Sequence, residues 1–258
     1  MYICKRNMTL EILICTIDEG IKKVPHVLMS PRDDIKYVVS MQWTREEAKD
    51  SVPPILRERE DVKLVFLEGK GLSRNRNNAI DNASGDILLI ADDDNRYTDE
   101  LIGNIFEAYE AHPEADVIHF QAVDMTGKPL HPYPADDVSS VEMSFRRNVN
   151  VRFDERFGLG SPKLCAGEES VWMKDAKDAG YNIIYVAKPV VMTPAGTTGT
   201  TFAENKKMQM SKGAAFKHVY GTGNAVWRSV KEAGWYMCHK KINPIPILYN
   251  MLKGIVEI

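Results

Sequence analysis

The apolar run Ile87-Leu88-Leu89-Ile90 breaks off at Ala91-Asp92-Asp93-Asp94-Asn95, and no other junction constrains the chain as much. A continuous apolar run of this length suits a strand covered on both faces, as in a mostly parallel sheet. Three adjacent carboxylates at the end of such a strand repel and raise one another's pKa. A cation that gathers them makes the arrangement tolerable, so one reading of the triplet is a divalent-metal site. The other is an acidic turn leading into the next helix, where Asp is an ordinary cap. Spacing alone leaves both open.

Four further runs have the same character: Leu10 to Thr16, Ile35 to Met41, Lys63 to Leu67 and Asp116 to Gln121. Helical patterns lie between them. Ser73 can cap a helix with Leu72, Ala79, Ile80 and Ala83 on its apolar face, ending at Gly85. Thr98 can cap another, with Asp99 and Glu100 in its first turn and Leu101, Ile102, Ile105, Phe106 and Tyr109 at helical spacing. Alternating strands and helices imply βαβ units, which bind ligands at the carboxyl ends of their strands. The Asp triplet lies at one of those ends. Further on, Met125 to Val138 reads as a crossing loop, and Val141 to Phe145 alternates like a half-exposed strand. A helix is expected over Val171 to Ala179, and a strand over Asn182 to Val186.

Composition narrows the class. The chain has 258 residues, 44% hydrophobic and 27% charged, with a formal net charge of −3, so nothing calls for a nucleic-acid partner. Four scattered cysteines, Cys4, Cys15, Cys165 and Cys238, show no metal-finger spacing and read as reduced thiols. No signal-peptide pattern opens the sequence, and no apolar run approaches the roughly 20 residues of a membrane span. The expected location is cytoplasmic, either free or peripheral at the inner face of the plasma membrane.

A second acidic group, Glu168-Glu169, follows Gly167 and precedes a helix. Acids in a first helical turn are common. Beside a metal-binding group, however, such a pair could supply a general base. The stretch Gly71-Leu72-Ser73-Arg74-Asn75-Arg76-Asn77-Asn78 is either a well-capped polar helix face or a phosphate-binding helix start.

Taken in order, Gly71-Leu72-Ser73, Arg76-Asn77, Ala79-Ile80, Ala83-Ser84-Gly85 and Asp86 to Asp94 resemble the signature of family 2 glycosyltransferases, of the bacterial surface-polysaccharide type. Phe153-Asp154-Glu155, Phe157-Gly158, Gly167-Glu168-Glu169 and Gly180 to Tyr185 resemble later segments of that family, and the likeness covers roughly residues 10 to 200. It implies the GT-A fold: an α/β, Rossmann-like, mostly parallel sheet with flanking helices. Residues 1–205 would form the transferase domain, with a nucleotide-sugar half to about 123 and an acceptor half from about 124. Residues 206–258 would be a basic, helical C-terminal extension.

The resemblance also implies roles. The reaction would be inverting transfer of a sugar from a nucleotide diphosphate sugar, UDP-linked first, to a hydroxyl of a glycan or lipid-linked acceptor. Asp94 would ligate Mg²⁺ or Mn²⁺. Asp92 and Asp93 would contact the ribose or sugar. Thr16, Asp18 and Glu19 would line the nucleotide pocket, and Arg76 would lie beneath the nucleotide. Glu169 would be the base, with Glu168 beside it. The chain departs from the family in having Glu169 where Asp is usual, and Ser40-Met41-Gln42-Trp43 where many members carry an acid that reads the base. Gln42 could hydrogen-bond a base, and Trp43 could stack on one or belong to the core. Thr193 stands where a His is often found. Two other classes, a sugar nucleotidyltransferase and a non-catalytic nucleotide-sugar-binding protein, fit parts of the pattern.

Residues 206–258 hold nine Lys/Arg and two Asp/Glu, a local charge of +7, which leaves −10 on the first 205 residues. From Pro246, Ile247, Leu248, Met251, Leu252, Ile255 and Val256 fall on one helical face. Either that helix packs on the domain, or it lies at an anionic leaflet with Lys240 and Lys241 as anchors.

Overall fold

The computed structural model describes residues 8–130, 138–194 and 202–258. Parts of the expected 125–138 loop and of the Thr193 to Thr198 segment lie outside the described residues, as does Cys4. The chain divides into two compact units that interleave along the sequence. The first comprises Met1–Lys70, Asn75–Val151 and Ala176–Ala195, and the second Gly71–Arg74, Arg152–Asp175 and Gly196–Ile258.

The first unit is built on one seven-stranded sheet. Its strands are β1 (Leu10–Ile17), β2 (Ile35–Trp43), β3 (Val62–Glu68), β4 (Ile87–Asp92), β5 (Val117–Val123), β6 (Met143–Arg146) and β7 (Ile183–Met192), in the order β3-β2-β1-β4-β6-β5-β7. Every pairing is parallel except those of β6, which runs antiparallel to both β4 and β5. β1, β2 and β4 are buried along nearly their whole length, as the apolar runs foretold. Their side chains join Ile102, Ile105 and Tyr109 of a flanking helix in the main core.

β6 departs from expectation. It is buried rather than half-exposed. Its alternation reports two buried faces, one of them polar and hydrogen-bonded. Ser144 meets the Tyr109 hydroxyl at 3.1 Å. In the turn before it, Glu142 accepts from the amide of Ala122 at 3.0 Å.

The helices are α1 (Ile55–Glu58), α2 (Leu72–Asp81), α3 (Asp99–Ala111), α4 (Glu168–Asp178), α5 (Lys206–Lys240) and α6 (Pro244–Glu257). Thr98 caps α3 as expected, accepting from the amide of Leu101 at 3.3 Å. Ser73 is not a cap. It lies inside α2, and its hydroxyl donates to the carbonyl of Phe157 at 2.7 Å. α2 also ends at Asp81, short of Gly85. The intervening turn is pinned by the buried Glu11, whose carboxylate accepts from the amides of Ser84 and, at 2.6 Å, Gly85. A Cβ on Gly85 would stand 2.7 Å from that of Glu11, so a side chain there would displace the pin. α4 begins at Glu168 rather than Val171, which puts both glutamates in its first turn.

In the second unit α5 is interrupted at Gly221, whose φ of 76° leaves the helical region. α5 and α6 pack through glycines. A Cβ on Gly213 would lie 2.0 Å from the carbonyl oxygen of Met251, and one on Gly254 would lie 1.9 Å from that of Met210. Ile247, Met251 and Ile255 are buried on the packed face of α6.

Candidate active site

The acidic run sits at the carboxyl ends of β1, β2 and β4 in the first unit, and its three aspartates have different surroundings. The amide of Asp92 donates to the side chain of Asn95 at 2.8 Å, which closes the turn after β4. Its carboxylate lies 3.8 Å from the guanidinium of Arg76. Asp93 accepts a 2.6 Å hydrogen bond from the hydroxyl of Thr16, and the ammonium of Lys23 stands 3.6 Å from its other oxygen. Asp94 is half-buried, and its carboxylate has no hydrogen-bond or ion-pair partner among the described residues.

Arg76 is buried beneath the run, 2% exposed, and donates to the hydroxyl of Ser140 at 2.6 Å. It therefore supports the acids from below. On β2, the Gln42 side chain is also 2% exposed, and its Nε2 has no hydrogen-bond partner among the described residues. An amide buried without a partner costs about 1–3 kcal/mol, which a ligand offering an acceptor could recover. Trp43 packs partly against the core, and the Lys49 ammonium lies 3.9 Å from its ring centroid, so that face is already covered.

The turn after β1 is drawn tight. Asp18 adopts φ 45°, in the left-handed region that Asp tolerates better than most residues. Its carboxylate accepts from the amide of Thr44 at 2.8 Å and the Thr44 hydroxyl at 2.7 Å, and the amide is the main cause of its depressed pKa. Asp18 thus ties the end of β1 to the end of β2. Glu19 is exposed, ion-paired with Lys22, and accepts from the Ser51 hydroxyl at 2.8 Å; the Lys22 bond leads in lowering its pKa. The Cys15 thiol, paired in register with Asp92, is pushed up to about 12 by burial and stays neutral.

Several of these residues carry roles that no motif assigned. Gly20 is the clearest: a Cβ there would lie 2.4 Å from Asp93 Oδ2 and 2.5 Å from Thr16 Oγ1. A lone glycine three residues past a strand end is a weak signal until the aspartate it faces is known. Asn75 is another. Its amide donates to the carbonyls of Thr16 at 3.0 Å and Ser40 at 3.1 Å and accepts from the Ser40 hydroxyl at 2.7 Å, holding the ends of β1 and β2 together. Among the described residues, no group of three or more His, Cys, Asp or Glu side chains is arranged to hold a metal ion. Thr193 is placed by its backbone, whose amide donates to Val123 at 3.0 Å.

In the second unit the glutamates differ from each other. Glu168 is buried and Glu169 half-buried. Gly158, at φ 99°, gives Glu168 its room, since a Cβ there would lie 3.3 Å from the Glu168 carboxyl carbon and 2.7 Å from Ser73 Oγ. Gly167, at φ 92°, starts the helix; a Cβ on it would come within 2.9 Å of Ala215 Cβ. Sidedness of exposure, rather than sequence, separates the two acids.

Comparison with known proteins follows the same outline. A sequence profile for glycosyl transferase family 2 matches residues 40–161, which hold Gln42, Arg76 and the acidic run. Among solved structures, the chain is similar to TarS from S. aureus, at 14% identity and a TM-score of 0.56 over 89% of this chain. It spans 44% of that TarS chain. It is similar to TarS 1–349 in complex with UDP-GlcNAc, at 12% identity and a TM-score of 0.58, covering 95% of this chain and 80% of that one. It is also similar to the mannosyltransferase PcManGT from Pyrobaculum calidifontis in complex with GDP-Man and Mn²⁺, at 12% identity and a TM-score of 0.59, covering 98% and 87%. These likenesses bear on the fold. No curated protein matches the chain by sequence.

Proposed function

We propose that this chain, whose residues 40–161 match the glycosyl transferase family 2 profile and whose fold is GT-A, transfers a sugar with inversion from a nucleotide diphosphate sugar to a hydroxyl of a glycan or lipid-linked acceptor. One observation carries the reading. Asp92 and Asp93 are tied to the scaffold, while the carboxylate between them and the turn, Asp94, is left unengaged at a strand end.

A single free carboxylate fits Mg²⁺ or Mn²⁺, hard cations that sites of this kind bind through one or two carboxylates and the substrate's own phosphates. Asp94 would hold the ion, which when bound offsets charge on the departing diphosphate. Thr16 and Lys23, with the room left by Gly20, fix Asp93 in one orientation, from which it would meet the donor's ribose or sugar. Arg76 lowers the electrostatic cost of Asp92. Gln42 offers its amide to the base; its neutrality suits an edge with both a donor and an acceptor, such as that of uracil. The half-exposed Glu169 takes the proton of the acceptor hydroxyl as its oxygen bonds to the anomeric carbon and the bond to the diphosphate breaks. The buried Glu168 supports the helix start. Asp18 and Glu19 shape the nucleotide turn through Thr44, Ser51 and Lys22.

The test is nucleotide diphosphate release from UDP- and GDP-sugars with and without Mn²⁺. Release that needs Mn²⁺ and an acceptor, and that is lost in Asp94→Ala, supports the reading. Donor binding without turnover under every condition would favour a binding protein instead, and pyrophosphate release from a nucleoside triphosphate would favour a nucleotidyltransferase.

A further inference from the structure

The C-terminal helices expose apolar surface that their mutual packing does not use. Of the fourteen large hydrophobic residues exposed among the described residues, nine fall between Tyr220 and Val256. They are ordered. Beyond the break at Gly221, Val226, Trp227, Val230 and Met237 lie within an arc of about 100° on α5, beside the strip of buried Ala225, Ser229 and Ala233. Trp227 is 60% exposed. No charged side chain of the helix interrupts that arc. On α6, Ile245, Tyr249 and Val256 fall within about 60° of one another, opposite Met251. They are 72%, 66% and 83% exposed.

Each strip is bordered by a lysine one turn past its aromatic. Lys231 follows Trp227, with its ammonium 5.5 Å from that ring, and Lys253 follows Tyr249. The charge around the strips is one-sided. The only acids from 206 to 258 are Glu232 and Glu257, and both are engaged, Glu232 by Lys212 at 3.0 Å and Glu257 by Lys163. Arg228, Lys231, Lys240, Lys241 and Lys253 have no carboxylate partner among the described residues. No helix of the described residues is long and apolar enough to cross a membrane.

We infer that these strips are a lipid-facing surface by which the C-terminal helix pair rests on an anionic bilayer. Narrow apolar stripes carrying Trp and Tyr suit the headgroup boundary, where an amphipathic ring keeps one edge wet. The unpaired lysines complement anionic headgroups and can extend their ammonium groups from an apolar stem. A second copy of the chain is a poorer occupant. A two-fold contact would set the same cationic surface against itself, and like charges across an interface cost several kcal/mol.

The experiment is co-sedimentation of the full chain with vesicles of phosphatidylcholine alone or containing phosphatidylglycerol. The expected result is binding to the anionic vesicles only, weakened by added salt. Lys231→Gln with Lys253→Gln should lower partitioning roughly 25-fold, since each cation near such a surface contributes about fivefold. Trp227→Ser and Tyr249→Ser, at exposed positions that leave the fold intact, should each weaken binding. Analytical ultracentrifugation of the same variants reads the alternative. Protein that stays in the supernatant with anionic vesicles overturns the inference, as do serine variants in both strips that sediment like the wild type. A dimer that dissociates in those variants overturns it in favour of self-association.

Discussion

The hydroxyl of Thr16 donates a 2.6 Å hydrogen bond to Asp93, joining the end of β1 to the acidic run that follows β4, and Gly20 is the residue that leaves room for it. The backbone of position 20 passes so close that even a methyl group would overlap both partners. Gly20→Ala is therefore expected to lower stability by about 1–3 kcal/mol through overpacking. It should also break the Thr16–Asp93 bond and weaken donor binding. Urea denaturation, and donor-induced thermal shift at matched temperature below the transition, separate the two effects.

The three aspartates should respond differently to truncation. Asp94 has no protein partner among the described residues, so Asp94→Ala should change stability by less than about 0.5 kcal/mol. It should still abolish any Mn²⁺-dependent stabilisation by a nucleotide sugar, because a donor stabilises by mass action only if it binds. Asp92→Ala removes a carboxylate that lies 3.8 Å from the buried Arg76 guanidinium and should cost about 1–2 kcal/mol without ligand. Equal stability losses in both variants would contradict the assignment of Asp94 as the open position.

The two glutamates of α4 can be separated in the same way. Glu169→Gln keeps shape and removes basicity, so turnover should fall by about 100- to 10,000-fold in a protein that still folds. Glu168→Gln alters a buried carboxyl and should move the melting temperature more than Glu169→Gln does. Full turnover by Glu169→Gln would exclude it as the base.

Asp18 gives a pH signature. Its folded pKa is depressed, chiefly by the Thr44 amide, so it adds stability above its unfolded pKa and loses that contribution as pH falls through the folded value. Asp18→Asn should be less stable than the wild type at about pH 7, and the difference should shrink at about pH 3. Denaturant titrations at the two pH values measure it.

The α5–α6 crossing depends on Gly213 and Gly254, each standing over a carbonyl of the other helix. Gly254→Ala cannot be absorbed by a rotamer change, because the atom it meets is backbone. A loss of about 2–3 kcal/mol is expected, with increased proteolysis of the C-terminal segment.

The strands β1 to β5 and the capped α3 were legible because local features specify them: unbroken apolar runs, and a Thr followed by two acids. The acidic run and the Glu168-Glu169 pair were visible by residue type and order. The alternation over β6 does not reveal its burial, since alternation reports only that two faces differ, and here the polar face is buried with its hydrogen bonds made. Ser73 likewise read as a cap because its partner, the Phe157 carbonyl, lies 84 residues away.

What the sequence determined by itself is therefore the sheet, its strand ends and the stock of acids placed there. Apolar periodicity and charge are properties of neighbours along the chain, and they act before any long-range contact exists. Only the tertiary structure decided which acid is free. Asp92, Asp93 and Asp94 are chemically identical and consecutive. Their difference arises from Arg76, Thr16, Lys23 and Gly20, groups distant in sequence that the parallel sheet brings against the first two and not the third. The same holds for α6, whose apolar residues divide into a packed face and an exposed one only once Gly213 and Gly254 fix the line along which the helices touch.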